Sequence, residues 1–140
     1  MKVFITFCLL FVFISGISAF GTLQSVAARG KLLCNGQPYK DAKIKLYDVD
    51  GLLDDFMAET KSDRLGVFYI KGNETEITTI DPKINIYHNC NDEAVECLRK
   101  FSITIPDDYI TEGPEPAKTF DAAILNLSGQ FPGETRDCIN

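Results

Sequence analysis

Apolar and polar residues alternate with a period of two along most of the chain after residue 20, and no helix-period stretch of useful length appears. In the first such segment the apolar positions share one face, which includes Cys34, while Arg29 and Lys31 belong to the other. The Asn35-Gly36 pair is a turn signal and ends the segment. The pattern predicts a domain built almost entirely of β-strands.

Six further segments alternate in the same way and are bounded by turn residues. Pro106 ends one of them, because proline cannot donate the hydrogen bond that a central strand needs. The run Thr111–Pro116 is too rich in glycine and proline for a sheet, and the stretch after Ser128 is rich in turn residues. Seven short strands predict an all-β sandwich of two packed sheets. We expect these strands at residues 26–34, 43–46, 56–60, 67–70, 82–88, 101–105 and 125–127.

The first nineteen residues follow a different pattern. Lys2 precedes a continuous apolar run, Val3–Ile14, and small residues follow up to Ala19. This is typical of a secretory signal peptide, and the run is shorter than the roughly 20 apolar residues of a membrane-spanning helix. We therefore expect a signal peptide over residues 1–19, cleaved near Ala19, and one sandwich domain over residues 20–140. The mature protein is expected to be secreted, extracellular and without an integral membrane segment.

Charge narrows the classes of partner. The 140 residues carry 20 Asp and Glu against 14 Lys and Arg, and losing Lys2 takes the formal charge from -6 to -7. An acidic surface repels nucleic acid phosphates, so no nucleic acid partner is expected. An anionic membrane is disfavoured for the same reason, unless Lys31, Lys43 and Lys45 gather with their neighbours on one sheet face.

The cysteines predict a disulfide framework. Cleavage removes Cys8 and leaves four cysteines, an even number in an exported chain. Four cysteines allow three connectivities, and the sequence alone does not choose between them. Spacing and strand pattern favour a bridge from Cys90 to Cys97 across a short polar loop. That leaves Cys34 to pair with Cys138 and fasten the tail to the first strand.

The mature chain also carries a series of short sequence blocks that together form a recognisable pattern, namely Gly30–Pro38, Ile44–Asp48, Asp54-Asp55, Glu59–Asp63, Gly66–Phe68, Ile80–Pro82, Ile86–Asp92, Ile105–Ile110 and Phe131–Cys138. This pattern resembles the transthyretin-like family of secreted nematode proteins and covers nearly the whole mature chain. The resemblance implies a prealbumin-like β-sandwich, secretion, and a role as an extracellular binding or carrier-type protein.

His88 is the single histidine and the one candidate for a general base near neutral pH. A relative of this fold hydrolyses 5-hydroxyisourate with several histidines, an arginine and a C-terminal Tyr-Arg-Gly-Ser. This chain ends Asp137–Asn140 instead, so that activity is not implied. The remaining enzymatic alternative is a hydrolase using His88 with Asp81 or Asp92. A structural histidine at a strand end is the favoured interpretation, and we expect no catalytic residue.

Two metal sites can be considered and neither is expected. Asp48, Asp50, Asp54 and Glu59 fall at the first, third, seventh and twelfth positions of a calcium-loop frame. The frame fails at its sixth position, where Leu53 replaces the required glycine, and its flanks are predicted strands. A zinc site at the lone histidine is disfavoured because the neighbouring thiols are expected in disulfides. No metal or cofactor is therefore predicted.

Two sequons predict N-glycosylation in an exported chain, at Asn73 and at Asn126. Asn73 follows the expected end of the fourth strand and is interpreted as a turn residue, the stronger of the two sites. Asn126 lies in the last strand, where alternation directs it outwards.

These observations predict a secreted binding protein that takes either a small apolar ligand or a surface on another protein or cell, with homo-oligomer formation left open. A second hypothesis is a bridging adaptor between a cell-surface ligand and a receptor. A closed apolar cavity between the sheets would favour the carrier, whereas an exposed apolar patch or a free edge strand would favour a protein partner.

Overall fold

The computed structural model describes residues 21–140, so the predicted signal peptide lies outside the described residues. Within this part the chain forms ten strands and a one-turn 3₁₀ helix, Asp107–Tyr109, and no helix is long and apolar enough to cross a bilayer. The strands are β1 Thr22–Cys34, β2 Gln37–Pro38, β3 Lys43–Asp50, β4 Leu53–Lys61, β5 Val67–Glu76, β6 Pro82–His88, β7 Leu98–Thr104, β8 Thr111–Glu112, β9 Phe120–Asn126 and β10 Thr135–Asp137.

The strands form two sheets of five. In the first sheet β1 pairs antiparallel with β2, β5 and β8 and parallel with β9. In the second sheet the order is β10-β7-β6-β3-β4, with all neighbours antiparallel. The all-β sandwich is thus confirmed. The seven longer described strands overlap the seven predicted ones, most of them extending further, and the other three are short additions.

Alternation along the strands builds the core between the sheets. Gly30 sits in the inner row of β1, and an added Cβ there would lie 2.7 Å from the ring of Phe68. The glycine therefore makes room for the aromatic ring that fills this part of the sandwich. Burying each large apolar side chain contributes about 1.5–3 kcal/mol. Fully enclosed members of the core include Leu32, Ile44, Leu46, Phe68, Ile84, Ile86, Phe101, Ile105 and Leu127.

β5 is longer than the sequence predicts. It was expected to stop at Lys71-Gly72-Asn73, yet it continues to Glu76, paired throughout with β1. Gly72 serves a close approach between strands: an added Cβ would lie 3.1 Å from the Cβ of Met57 in β4. Asn73 is consequently a strand residue, and its interpretation as a turn residue is wrong.

β8 is the second difference from the predicted pattern. Its two residues fall in the run Thr111–Pro116 that was expected to stay outside the sheets, but they pair with Gln24 and Ser25 of β1. The prolines lie beyond the paired positions, so the backbone N–H groups needed for pairing are present.

Two disulfides are confirmed, but the predicted pairing is wrong: Cys34 bonds to Cys90, and Cys97 bonds to Cys138. Cys34 ends β1 and Cys90 lies two residues beyond β6, each in the inward-facing register of its strand. The two meet between the sheets with their Cα atoms 5.8 Å apart. This bridge ties the first sheet to the second.

The second disulfide follows from strand register. Asp137 of β10 lies opposite Leu98 of β7, so the next position along places Cys138 beside Cys97. Their Cα atoms are 4.2 Å apart. Pairing of β10 with β7 therefore positions the C-terminal tail so that the Cys97–Cys138 disulfide can form.

Candidate functional site

His88 is a buried core residue at the end of β6, with 2% of its surface exposed. Its Nδ1 accepts a hydrogen bond from the backbone N–H of Cys90 at 3.1 Å. The rings of Tyr39 and Phe101 approach it edge-on, at centroid distances of 6.0 and 6.1 Å. Burial, aided by the positive charge of Arg99, lowers the pKa of His88 to about 4. The imidazole is therefore neutral at physiological pH.

Asp81 and Asp92 are the two acids that were considered as partners of His88. Asp81 precedes β6 and His88 ends it, a separation of about 20 Å along the strand. The Asp92 carboxylate accepts hydrogen bonds from both terminal nitrogens of Arg136, which holds the Asp92 pKa below its usual value. Within residues 21–140 no hydrogen bond joins His88 to Asp81 or Asp92.

Arg99 is a buried charge that sequence reasoning missed. It shares the inner register of β7 with Phe101, and its guanidinium donates to both carboxylate oxygens of Glu134. It also donates to the backbone carbonyls of Cys90, Leu127 and Gly129. The sequence did signal an arginine at an inward-facing strand position. It did not identify the partner, Glu134, which lies 35 residues away. This network fixes the tail against the sandwich.

A cluster of acids lies where β3 and β4 meet the end of β5. Carboxylate oxygens of Asp48, Asp55 and Glu76 lie within 4.8 Å of one another. Asp48 is buried and accepts a hydrogen bond from the Asp81 N–H at 2.8 Å. Burial raises the pKa of Asp48, and burial together with the nearby Asp48 charge raises the pKa of Glu76. The cluster is a place of mutual carboxylate repulsion.

The calcium-loop frame is not built, as expected from its flanking strands. Asp48 and Asp50 belong to β3, and β4 follows directly after the two-residue turn Gly51-Leu52. Asp54 forms an ion pair with Lys83, and Glu59 approaches Lys45 at 3.8 Å. These acids are thus engaged by lysines of the same sheet.

The outer side of the first sheet carries an exposed apolar patch. Register places Val67, Lys31 and Ile124 in one row across β5, β1 and β9, and Tyr69, Arg29 and Asp121 in the next. A groove of about 290 Å³ opens to solvent along these rows. We call this the first-sheet face. Its apolar members are exposed to 42% at Val67, 51% at Tyr69 and 65% at Ile124.

A β-bulge in β9 shapes this face. The pairing of β9 with β1 shifts between Arg29 and Lys31, and Ala123 adopts a left-handed backbone conformation with φ of 64°. The Ala123 N–H donates to Oδ1 of Asp121 at 2.8 Å. Bulges redirect side chains, and here Ile124 is turned out to solvent. Left-handed backbone at a non-glycine residue stores strain, which is commonly found at functional surfaces.

Both sequon asparagines are exposed and lie on the outer side of the first sheet. Asn73 belongs to the same outward register of β5 as Tyr69, and Asn126 ends β9 opposite Leu33. The Asn126 Oδ1 accepts a hydrogen bond from the Ser128 hydroxyl at 2.7 Å. The two asparagines flank the first-sheet face at its two ends.

The three lysines considered for contact with an anionic membrane do not lie on one sheet face. Lys31 lies in the first sheet, whereas Lys43 and Lys45 lie in β3 of the second. On the outer side of the second sheet Lys43 and Lys45 are joined by Lys61, Lys83 and Lys100. The two outer faces of the sandwich therefore differ in chemistry.

Comparison with known proteins agrees with this architecture. Residues 29–106 match the family model TTR-52, described as the transthyretin-like family. The chain is 47% identical to transthyretin-like protein 5 of Caenorhabditis elegans, with 100% of both chains covered. It is 38% identical to transthyretin-like protein 2 of the same species, over 91% of this chain and 90% of that protein. Transthyretin-like protein 33 is 40% identical, over 84% and 83%.

A solved 9R-lipoxygenase from Cyanothece overlaps 74% of this chain and 16% of its own length, with 17% identity and a TM-score of 0.43, and no argument rests on it. The family match, the full-length relatives and the two-sheet fold agree with the sequence blocks. The chain therefore belongs to the transthyretin-like family.

Proposed function

We propose that this protein is a secreted, extracellular binding protein that docks onto a partner protein through the first-sheet face. The observation that carries the proposal is the set of exposed apolar side chains in adjacent rows, Val67, Tyr69 and Ile124. Lys31 and Arg29 of β1 lie between these side chains, and the Arg29 guanidinium lies 3.5 Å from the Asp121 carboxylate. Aromatic residues and arginine are enriched in protein interfaces.

A protein partner fits this face better than a small apolar ligand. Small-molecule sites enclose most of the ligand surface, whereas the groove beside Ile124 is open to solvent along its length. The space between the sheets is filled by stacked and branched side chains. Phe101 and Phe131, for example, stack with their ring centroids 4.0 Å apart. An open surface of this kind matches the shape of another protein.

The edge of β9 gives the partner a second point of attachment. β9 pairs with β1 on one side, and in residues 21–140 no strand pairs with its other side. Such an edge offers unpaired backbone N–H and C=O groups to an added strand. A strand laid along β9 would place its side chains next to Ile124.

Secretion is part of the proposal. Two disulfides in a small domain are typical of an oxidising compartment, and the N-terminal pattern is typical of a cleaved signal. N-terminal sequencing of the protein recovered from culture medium should give residue 20 as the first residue. Recovery of an uncleaved N-terminus from cell membranes would contradict secretion.

Glycosylation bears on access to the docking face. We propose that Asn73 carries a glycan, because this residue is exposed. It lies in β5, four residues after Tyr69. A glycan at Asn126 would stand one row from Ile124 and obstruct the face, so docking requires this site to be unoccupied. Asn73→Gln should remove the mobility shift seen on deglycosylation, while Asn126→Gln should leave that shift unchanged. Persistence of the full shift in Asn73→Gln would contradict this assignment.

A bridging adaptor is the second candidate, because the sandwich has two outer faces of different chemistry. The first-sheet face combines exposed apolar side chains with Lys31, Arg29 and Asp121, and the opposite face is lined by lysines. Opposite faces can be occupied at the same time. Simultaneous binding of a protein on one face and an anionic ligand on the other would favour this role, whereas mutual exclusion would contradict it.

Affinity capture with matched variants tests the docking proposal. Ile124→Asp places a charge in the patch, and Leu52→Asp makes the same change at a residue that is 99% exposed on the β3–β4 hairpin. The wild type and Leu52→Asp should retain one stoichiometric protein from extracellular fluid, and Ile124→Asp should bind the purified partner at least about tenfold more weakly. Equal binding by the Ile124→Asp variant would contradict the proposal. Self-association abolished by Ile124→Asp would identify the face as a homo-oligomer contact instead.

A further inference from the structure

A row of lysines crosses the outer side of the second sheet at right angles to the strands. Lys43 of β3 lies directly opposite Lys61 of β4 on one side and Tyr87 of β6 on the other. Tyr87 in turn lies opposite Lys100 of β7. Four adjacent strands thus contribute one side chain each, over a span of about 14 Å. We call these four residues the lysine row.

The positive charge of the row is only partly balanced. Within residues 21–140 no carboxylate lies within 4.0 Å of the Lys43 or Lys61 amino groups, and Lys43 instead contacts the Asn140 amide oxygen at 3.2 Å. Lys100 approaches Asp137 at 3.7 Å, longer than a hydrogen-bonded ion pair. Like charges directly opposite each other in a sheet lower its stability. An added anion would relieve this repulsion between Lys43 and Lys61.

Neutral polar groups lie among these lysines. The amino groups of Lys45 and Lys100 lie 5.5 and 5.7 Å from the centroid of the Tyr87 ring. Burial raises the pKa of Tyr87, so its hydroxyl stays neutral and able to donate. Behind it, the Ser102 hydroxyl donates to Asn85 Oδ1 at 2.7 Å. Tyr87 and Asn85 are themselves only 3% and 2% exposed, so the groups that this face offers to a ligand are chiefly the lysine amino groups.

A pocket of about 340 Å³ opens beside the row, where β3 and β7 begin and β4 and β6 end. Lys40, Lys43 and Lys61 line it, and Asp41 contributes a single carboxylate side chain. Three amino groups around a space of this size can surround one anionic substituent. The row thus has a recess along one side.

We propose that the lysine row and its pocket bind a sulfated polysaccharide chain laid across the strands. Sulfate groups would contact the amino groups of Lys61, Lys43 and Lys100. Lysine suits this ligand because a flexible point charge adapts to sulfates at varied positions, without the bidentate geometry that arginine requires.

Other anionic partners fit the face less well. A planar anionic membrane would also meet the acidic end of the same sheet, where Asp50, Asp54 and Asp55 lie on the β3–β4 hairpin. An added peptide strand needs free backbone groups, but β3, β6 and β7 are paired on both sides. A linear chain that crosses the strands contacts side chains alone and avoids the acidic end.

Heparin, as a defined sulfated polysaccharide, tests the proposal. The wild-type protein should bind immobilised heparin and elute at a definite NaCl concentration, because screening weakens charge attraction. Lys43→Gln/Lys61→Gln should weaken heparin binding by about tenfold at physiological salt. Lys31→Gln/Lys118→Gln removes the same charge away from the row and should bind like the wild type. Dextran of equal length, which lacks sulfate, should not bind.

Three other outcomes of this experiment would overturn the proposal. Equal loss in both double variants would show a response to net charge alone and overturn the site. Absence of heparin binding by the wild type would overturn the proposal outright. Retention on vesicles of anionic phospholipid without retention on heparin would overturn the polysaccharide assignment. The Lys43 and Lys61 side chains lie outside the core, so the double variant should still fold. A cooperative thermal unfolding transition checks this. Ile124→Asp leaves this test untouched, so the docking proposal can fail independently.

Discussion

The Arg99 guanidinium donates hydrogen bonds to both carboxylate oxygens of Glu134, at 2.9 and 3.0 Å. The two side chains are only 12% and 10% exposed. The pair joins β7 to the tail, next to Phe131, which stacks on Phe101. It therefore holds the last residues of the chain in place by an interaction between distant parts of the sequence.

Removing one partner of this pair should be costly. We expect Arg99→Met to lower the free energy of unfolding by about 3–5 kcal/mol, because Glu134 would be left charged and unpaired in a buried position. Glu134→Gln keeps a hydrogen-bond acceptor and should cost about 1–2 kcal/mol. Urea unfolding with the disulfides intact measures both. Arg136→Met, which breaks an exposed pair with Asp92, should cost less than about 1 kcal/mol. Equal losses at Arg99 and Arg136 would contradict this account.

His88 should make stability depend on pH between 6.5 and 4. Above pH 6.5 the imidazole is neutral in both states, because its pKa is about 4 when folded and 6.5 otherwise. As the pH falls through this window, the unfolded chain binds a proton that the folded chain does not. The free energy of unfolding should fall by about 3 kcal/mol from this residue. His88→Asn keeps an acceptor for the Cys90 N–H and should flatten the profile. Parallel profiles for the two proteins would argue against a neutral buried histidine.

Non-reducing peptide mapping should recover Cys34 joined to Cys90 and Cys97 joined to Cys138. Replacing both members of either pair with alanine should lower stability by about 4 kcal/mol on the chain-entropy model, since both closed loops are long. Thermal unfolding of the two double variants measures this cost. A Cys90–Cys97 peptide in the map would contradict the strand register.

Neutralising one acid of the cluster should stabilise the fold. The pKa values of Asp48 and Glu76 are raised in the folded state, so these groups favour folding at low pH and oppose it as the pH rises through their folded pKa values. Asp55→Asn should therefore raise Tm at pH 7 by about 2 °C and have less effect near pH 3. Asp108→Asn, a matched change outside the cluster, should leave Tm unchanged at both values. A lower Tm for Asp55→Asn at pH 7 would show that the cluster is not repulsive.

Local pattern was enough to predict the sandwich, because burial of one strand face imposes a period of two. Ile84, Ile86 and Phe101 are buried where alternation put them. The same alternation pointed to the correct disulfide, since Cys34 and Cys90 both fall at inward-facing positions. Loop length instead favoured Cys97 as the partner of Cys90, which was wrong because sheet-to-sheet geometry decides the pairing.

The remaining errors concern contacts between distant segments. Gly72 resembles a turn residue in sequence, but the neighbouring Met57 requires a residue without a side chain inside a strand. Arg99 is inward because Glu134 meets it from the tail, and Ile124 is outward because of the bulge at Ala123. Apart from the inward position of Arg99, these relationships have no local sequence signal, so the exposed apolar patch became visible only in the folded chain.

The most direct test of the central claim is site-specific photo-crosslinking on the first-sheet face. A photoreactive phenylalanine replaces Tyr69, which is exposed in the patch, and in a matched variant it replaces Leu52 on the hairpin of the other sheet. With protein added to its own extracellular fluid, we predict one discrete crosslinked protein partner from position 69, lost when Ile124→Asp is present, and none from position 52. Identical crosslinks from both positions, or none from position 69, would contradict docking through this face.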